Sequence, residues 1–393
     1  MPLADDEQIK GLLADGSITA ITVDTSIFDQ KRLQLNSATM QSLAALKDKP
    51  FSFLLSGTVA KEVLSHLEKA ALEALQAAKK TIGQALFAFE TNQPTRDELL
   101  EQISGGRTAV QASKERWEKY IDDTGCEVLV DTDLVDTRTV YDAYFAGDPP
   151  FGSGRKKDEF PDALALNALE RTAADRKTNI LVVSQDGDWR AFCEKSKRLF
   201  IVPEIERALN FVTNAPLGLR KAITGWLSEG GEGIAEVRHH IGYNVEQIEF
   251  SVNGQATHGE VELSAWAGEL QDIGWPDPSD IDIIDISATE EPNALRVVVS
   301  LPLSLVVRVM IEMSFSFWDG IDKESVGMGG RSTEVDEELY ERATITVDVH
   351  DLGSEDEIIE FVESEIEAKY YEIELGELDV FEPEDYWDGE EDS

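Results

Sequence analysis

The chain's apolar residues follow two different patterns, which change over near residue 216. Before it, residues 18–28 (ITAITVDTSIF), 51–55 (FSFLL), 127–130 (EVLV), 179–183 (NILVV) and 198–202 (RLFIV) form short runs. They are too uniformly apolar to keep one face in water, which is the pattern of strands buried on both faces. Residues 58–90, 95–121 and 162–176 have the spacing and Ala/Leu content of helices. Strands alternating with helices predict an α/β fold, a parallel sheet flanked by helices. Residues 90–121, with Pro94 and Gly105-Gly106, read as a helical insert rather than a linker.

After Pro216 the period becomes two. VRVMIEMSFSF sends Val309, Ile311, Met313, Phe315 and Phe317 to one side and Arg308, Glu312, Ser314 and Ser316 to the other, and TITVDVH alternates likewise. One polar face and one apolar face predict antiparallel strands. Residues 354–369 read as an acidic helix and FEPEDYWDGEEDS as an acidic tail. The expected organisation is therefore an α/β domain over residues 1–215 and an acidic, strand-rich α+β domain over residues 216–393. No internal repeat is visible.

Composition agrees with this division. A chain of 393 residues, 42% of them hydrophobic, can bury two cores. The formal charge is −43, and it is uneven: about 44 of the 78 acids but only about 9 of the 35 basic residues follow Pro216. Such acidity repels polyanions, so any nucleic-acid reading needs a local basic feature and a cation. No basic stretch followed by an apolar segment opens the sequence, and the longest apolar run, residues 294–318, is interrupted by Arg296, Pro302, Arg308 and Glu312. These features predict no membrane span. Cys126 and Cys193 fit no metal-ligand spacing and no disulfide framework, so the expected location is the cytoplasm.

The candidate chemistry lies in the acids. Asp24 follows the first apolar run, in VDTS; Glu62 lies early in the helix after FSFLL; Asp162 opens a helix behind Pro161; Asp186 and Asp188 follow NILVVS. In a parallel sheet the carboxyl ends of the strands share one edge, so these residues are expected to converge there. Grouped carboxylates repel one another unless they share protons or hold a cation, and hard oxygen ligands suit Mg²⁺ or Mn²⁺. Metal-assisted hydrolysis of phosphate esters is the reaction implied. Taken singly, each acid reads better as a capping, loop or surface residue. Their shared placement favours a site.

The order VDTS, AKEV, EFPDALAL, VVSQDGDW resembles the PIN-domain nucleases over roughly the first 215 residues. The longer string PPFGSGRKKDEFPDALAL resembles a bacterial PIN-like branch of larger proteins. The resemblance implies that Asp24, Glu62, Asp162 and Asp186 are the catalytic, metal-binding set for RNA cleavage, with Asp188 as a fifth metal ligand. It also sets Thr25 or Ser26 beside the first acid, and Ser184 before the last, as substrate-side hydroxyls. An endoribonuclease using Mg²⁺ or Mn²⁺ on single-stranded or structured RNA is implied. A toxin or defence role follows by analogy alone.

Arg155, Lys156 and Lys157 supply the local positive charge in the loop before EFPDA, as phosphate contacts or as a solvated turn balancing Asp158 and Glu159. Trp189, Phe192 and Phe160 offer ring faces for bases, although core packing is their default. His66 shares a helix face with Glu62, and His239-His240 lacks ligand spacing; both read as structural. The acidic region after Pro216 reads as a solubilising surface, or as a regulator that covers the basic loop. Homo-oligomer formation stays open. Two other classes compete: a small-molecule phosphohydrolase, disfavoured because Ser26 stands where a second Asp is needed, and a non-catalytic PIN-like scaffold.

Overall fold

The computed structural model describes residues 5–47, 51–91, 94–151, 159–228, 231–291, 293–319, 323–354, 357–367 and 370–379. The chain divides into two compact units, Met1–Leu217 with Asp282–Val298, and Gly218–Ile281 with Val299–Ser393.

In the first unit five strands, β1 (Ile18–Val23), β2 (Ser52–Leu55), β3 (Glu127–Val128), β4 (Asn179–Val183) and β5 (Leu199–Val202), form one sheet in the order β3-β2-β1-β4-β5. Every pair is parallel, as the apolar runs predict. Ile21, Val23, Leu54, Leu181 and Val183 are completely buried. β1 is central, with β2 on one side and β4 on the other, and Val23 lies opposite Val183. The winding therefore reverses beside β1, where open α/β sheets leave a crevice at their carboxyl edge.

The flanking helices are α1 (Asp6–Ala14), α2 (Thr25–Gln30), α3 (Ala38–Gln41), α4 (Gly57–Ala88), α5 (Arg96–Ser104), α6 (Ala109–Thr124), α7 (Asp131–Leu134), α8 (Thr137–Ala146), α9 (Phe160–Arg176), α10 (Gly187–Lys195) and α11 (Ile205–Thr213). The first strand is shorter than residues 18–28. It ends at Val23 because Asp24, in extended conformation, occupies the N-cap of α2. A break at Gly105 and Gly106, both left-handed, divides the predicted insert helix into α5 and α6, and each starts with a capping box, at Thr95 and Thr108.

The start of α4 is fixed from two sides. Ser56 Oγ accepts from the Val59 amide at 3.1 Å, while Asp131 accepts from the amides of Gly57 and Thr58 at 3.0 and 2.7 Å and from the Thr58 hydroxyl at 2.7 Å. Glycine is needed at 57, since a Cβ would stand 2.6 Å from the Leu129 carbonyl oxygen.

The second unit holds α12 (Leu217–Trp226) and α13 (Glu232–Val245), with β6 (Glu249–Ala256), β7 (Glu260–Gly274), much of β9 (Ala294–Asp319), β10 (Glu324–His350), β11 (Ile358–Ile366) and β12 (Tyr370–Leu378). The main sheet has the order β11-β10-β9-β7, and its β7–β9 and β10–β11 pairs are antiparallel. Val309, Ile311, Met313 and Phe315 are buried, whereas Arg308 lies on the other face and binds Asp336 through two nitrogens at 2.9 and 3.2 Å. β6 and β12 form a separate parallel pair.

The predicted acidic helix over residues 354–369 is instead strand β11. Ile359 and Phe361 pair with Val349 and Val347 of β10, and pairing along the side of β10 away from β9 outweighs the helical propensity of the glutamates.

The strand β8 (Asp282–Ala288) and the start of β9 pack in the first unit. Ile284 and Val298 join its hydrophobic core, Asn210 Nδ2 donates to Asp282 at 2.7 Å, and the Thr213 hydroxyl donates to the Ile284 carbonyl at 3.0 Å.

Candidate active site

The sheet places Asp24 directly. Its amide donates to the Val183 carbonyl at 2.9 Å, extending the β1–β4 ladder by one rung, and the Ser184 amide does the same to Val202 at 3.1 Å. Asp24 and Ser184 therefore leave adjacent strands side by side. Although Asp24 stands at the N-cap of α2, its side chain makes no capping bond. Its Oδ2 instead accepts the Ser26 hydroxyl at 2.5 Å and the Ser184 hydroxyl at 2.8 Å. Both small hydroxyl residues flagged in the sequence thus orient the first acid.

Three further carboxylates reach the same edge from other elements. Glu62, in the second turn of α4, accepts the Thr25 hydroxyl through Oε2 at 2.8 Å. Asp162, in the first turn of α9 behind Pro161, accepts the Trp189 indole N–H through Oδ1 at 2.8 Å. Asp186 caps α10, its Oδ1 accepting the amides of Asp188 and Trp189 at 2.6 and 3.2 Å. The Asp186 amide in turn donates to Ser184 Oγ at 3.0 Å, so Asp24 and Asp186 are tied through one serine.

Their electrostatics show that they share one neighbourhood. Burial raises Asp24 above the usual carboxylate range, against the hydrogen bonds of Ser26, Ser184 and the Thr25 amide, and the charge of Asp186 raises it further. Asp162 is pushed up to about 6, chiefly by burial and then by the charges of Asp24, Asp186 and Glu62, with the Trp189 bond opposing. Asp188 is also raised, by burial and by Asp186 and Glu159.

The chemistry of this donor set suits a hard divalent cation: the oxygens are anionic, confined and mutually repelling, and cation binding relieves that repulsion. Among the described residues, no three or more His, Cys, Asp or Glu side chains are close enough to enclose a metal ion. The acids form an electrostatic cluster rather than a closed coordination shell.

Arg155, Lys156, Lys157 and Asp158 lie outside the described residues. His66 pairs with Asp29, its Nδ1 lying 2.8 Å from the carboxylate. Phe160 is exposed, its ring lying against Tyr144 (stacked, 5.1 Å) and Phe151 (edge-on, 5.0 Å). His240 stacks on Phe361 at 4.2 Å in the second unit.

Two roles escaped the sequence reading. Trp189, expected in the core and indeed buried, also donates to Asp162. Asp131 is a further acid after an apolar run, in EVLVD, but it serves the start of α4 rather than the cluster. The signal was present: an acid directly after EVLV has the same placement as Asp24.

Fold and site together define an α/β domain with an acidic centre at the switch point of a parallel sheet. The model of the PIN domain family matches residues 21–189, and this part of the chain belongs to that family. PIN domains are generally nucleases and typically use divalent metals. No curated protein and no solved structure gives a significant match to the chain. Among the described residues, no helix is long and apolar enough to cross a membrane.

Proposed function

We propose that the chain is a metal-dependent endoribonuclease, with residues 1–215 as its nuclease domain. The reading rests on one observation above all: Asp24, Glu62, Asp162 and Asp186 come from four separate segments, and Asp162 is raised to about 6 by burial and by the charges of the other three. Carboxylates perturbed by burial and by one another cluster at functional sites.

Mg²⁺ or Mn²⁺ would be held by these four residues, with Asp188 at the margin, and would supply activation of water and charge neutralisation on the phosphate. The remaining work falls to the chain itself. Ser26 and Ser184 hold Asp24 through one oxygen, Thr25 holds Glu62, and the α10 amides hold Asp186. Each bond fixes a carboxylate before substrate arrives, so reorganisation during the reaction is reduced. Trp189 orients Asp162, which in the free protein exchanges its proton near pH 6. The basic residues Arg155, Lys156 and Lys157 are the proposed phosphate contacts.

The test uses purified wild type, Asp24→Asn and Asp162→Asn with RNA, single-stranded DNA and p-nitrophenyl phosphate, in Mn²⁺, Mg²⁺ or EDTA. The expected result is RNA cleavage that needs the metal and is lost in both variants. Turnover of the phosphomonoester without RNA cleavage would make the protein a small-molecule phosphohydrolase. No activity together with no metal binding would make it a scaffold.

A further inference from the structure

A second concavity lies in the first unit, away from the carboxylates. It encloses about 560 Å³ and is lined by Pro149, Glu170, Phe192, Lys195, Lys197 and Arg198 among others. Its place follows from α10. That helix begins at Asp186, on the carboxyl edge of the sheet, and its last residue is Lys195, beside the turn that starts β5. Nine residues of helix, about 13 Å at 1.5 Å per residue, separate the two ends.

The lining combines two chemistries. Lys195, Lys197 and Arg198 put three cations within four positions of a chain whose formal charge is −43. Lys195 donates to Asp148 at 2.8 Å and Arg198 Nη1 to the Thr178 carbonyl at 3.3 Å. An ammonium carries three donors and a guanidinium five, so both retain capacity. Lys197 is exposed and makes no hydrogen bond or ion pair among the described residues. The turn bearing these cations is fixed by Ser196, whose Oγ accepts from the amides of Arg198 and Leu199 at 3.0 Å each and donates to Glu170. The Phe192 and Pro149 rings line the same cavity and give it an apolar part.

Apolar rings beside cations match a ligand that is itself a flat ring joined to a phosphate, and the volume lies in the range of small-molecule sites. We propose that this cavity binds one nucleotide, with the base against Phe192 and the phosphate on Lys197 and Arg198. Glu170 is placed to accept from an exocyclic amine or a ribose hydroxyl. The nucleotide can come from two sources: a free mononucleotide, or one residue of an RNA strand that continues past the carboxylate edge. The proposal does not depend on cleavage.

The experiment is done in EDTA on the full chain. Titration calorimetry follows binding of 5′-AMP to wild type, to Lys197→Glu, and to Lys114→Glu as a charge-matched control on α6, with thermal melts confirming that all three fold alike. Fluorescence anisotropy follows a labelled RNA oligonucleotide on the same proteins. Saturable AMP binding that weakens about tenfold or more in Lys197→Glu but not in Lys114→Glu, the loss expected for a charge-assisted hydrogen bond, supports the site with a free nucleotide as ligand. If AMP does not bind but the oligonucleotide weakens by that factor in Lys197→Glu alone, the site is supported with the strand as its source. If Lys197→Glu changes neither ligand beyond the control, or wild type binds neither, the proposal is overturned. A protein that binds AMP here but never cleaves RNA would refute the nuclease reading and leave this one standing.

Discussion

Asp162→Asn is expected to stabilise the metal-free protein. The substitution removes a charge and keeps an oxygen to accept the Trp189 indole N–H. Burial and the charges of Asp24, Asp186 and Glu62 raise the Asp162 carboxyl from 3.8 to about 6. A carboxyl whose pKa is higher folded than unfolded favours the native state while protonated. Its contribution is complete below about pH 4 and is lost as pH rises through about 6. The difference corresponds to at most roughly 3 kcal/mol, and the partial exposure of the side chain reduces it to about 1–2 kcal/mol. Urea denaturation in EDTA between about pH 5.5 and 8, followed by tryptophan fluorescence, measures it. The variant should exceed wild type by about 1–2 kcal/mol near pH 7.5, with the gap narrowing toward pH 5.5. Adding Mn²⁺ should stabilise wild type and close the gap. A variant that is less stable than wild type, or a gap that does not change with pH, would refute the idea that Asp162 sits among repelling carboxylates.

Other consequences can be checked separately. Trp189→Phe removes the bond that lowers the Asp162 pKa, so the acid limb of the pH–rate profile for RNA cleavage should move to higher pH, with about 1–2 kcal/mol of stability lost. Ser184→Ala deprives Asp24 of a donor and the Asp186 amide of its acceptor; cleavage should fall about tenfold or more while circular dichroism is unchanged. Asp131→Ala leaves two amides and a hydroxyl at the start of α4 without their acceptor and should cost about 2–4 kcal/mol in thermal or urea unfolding, whereas Asp131→Asn should cost less.

The parallel sheet was legible because β1, β2, β4 and β5 are apolar on both faces and have no competing reading. The placement of Asp24 and Asp186 followed, since each comes straight after a strand. Glu62 was harder: nothing in AKEV indicates that Thr25, 37 positions earlier, will hold it. Trp189 was recognised by burial but not as a donor, because a hydrogen bond across 27 positions leaves no local trace. The reading of residues 354–369 as a helix failed for a related reason. Glutamate-rich segments satisfy helical propensity locally, and the β10 edge that makes β11 a strand is a tertiary feature. Lys195, Lys197 and Arg198 were not singled out from the sequence, because the cavity joining them to Phe192 and Pro149 exists only once α9 and α10 have packed.

The packing of β8 with α11 has a consequence for how the protein is made. Residues 282–298 complete the first unit, yet Gly218–Ile281 must leave the ribosome before them. Until Ile284 and Val298 have emerged, the nascent first unit lacks part of its core, and the bonds from Asn210 to Asp282 and from Thr213 to the Ile284 carbonyl have not formed. Domains commonly fold N-terminal first during synthesis. Here the carboxylate-bearing sheet can form early, but its final closure waits for about three quarters of the chain. The delay offers a natural interval in which a carboxylate cluster destined for catalysis exists without a fully stabilised fold around it.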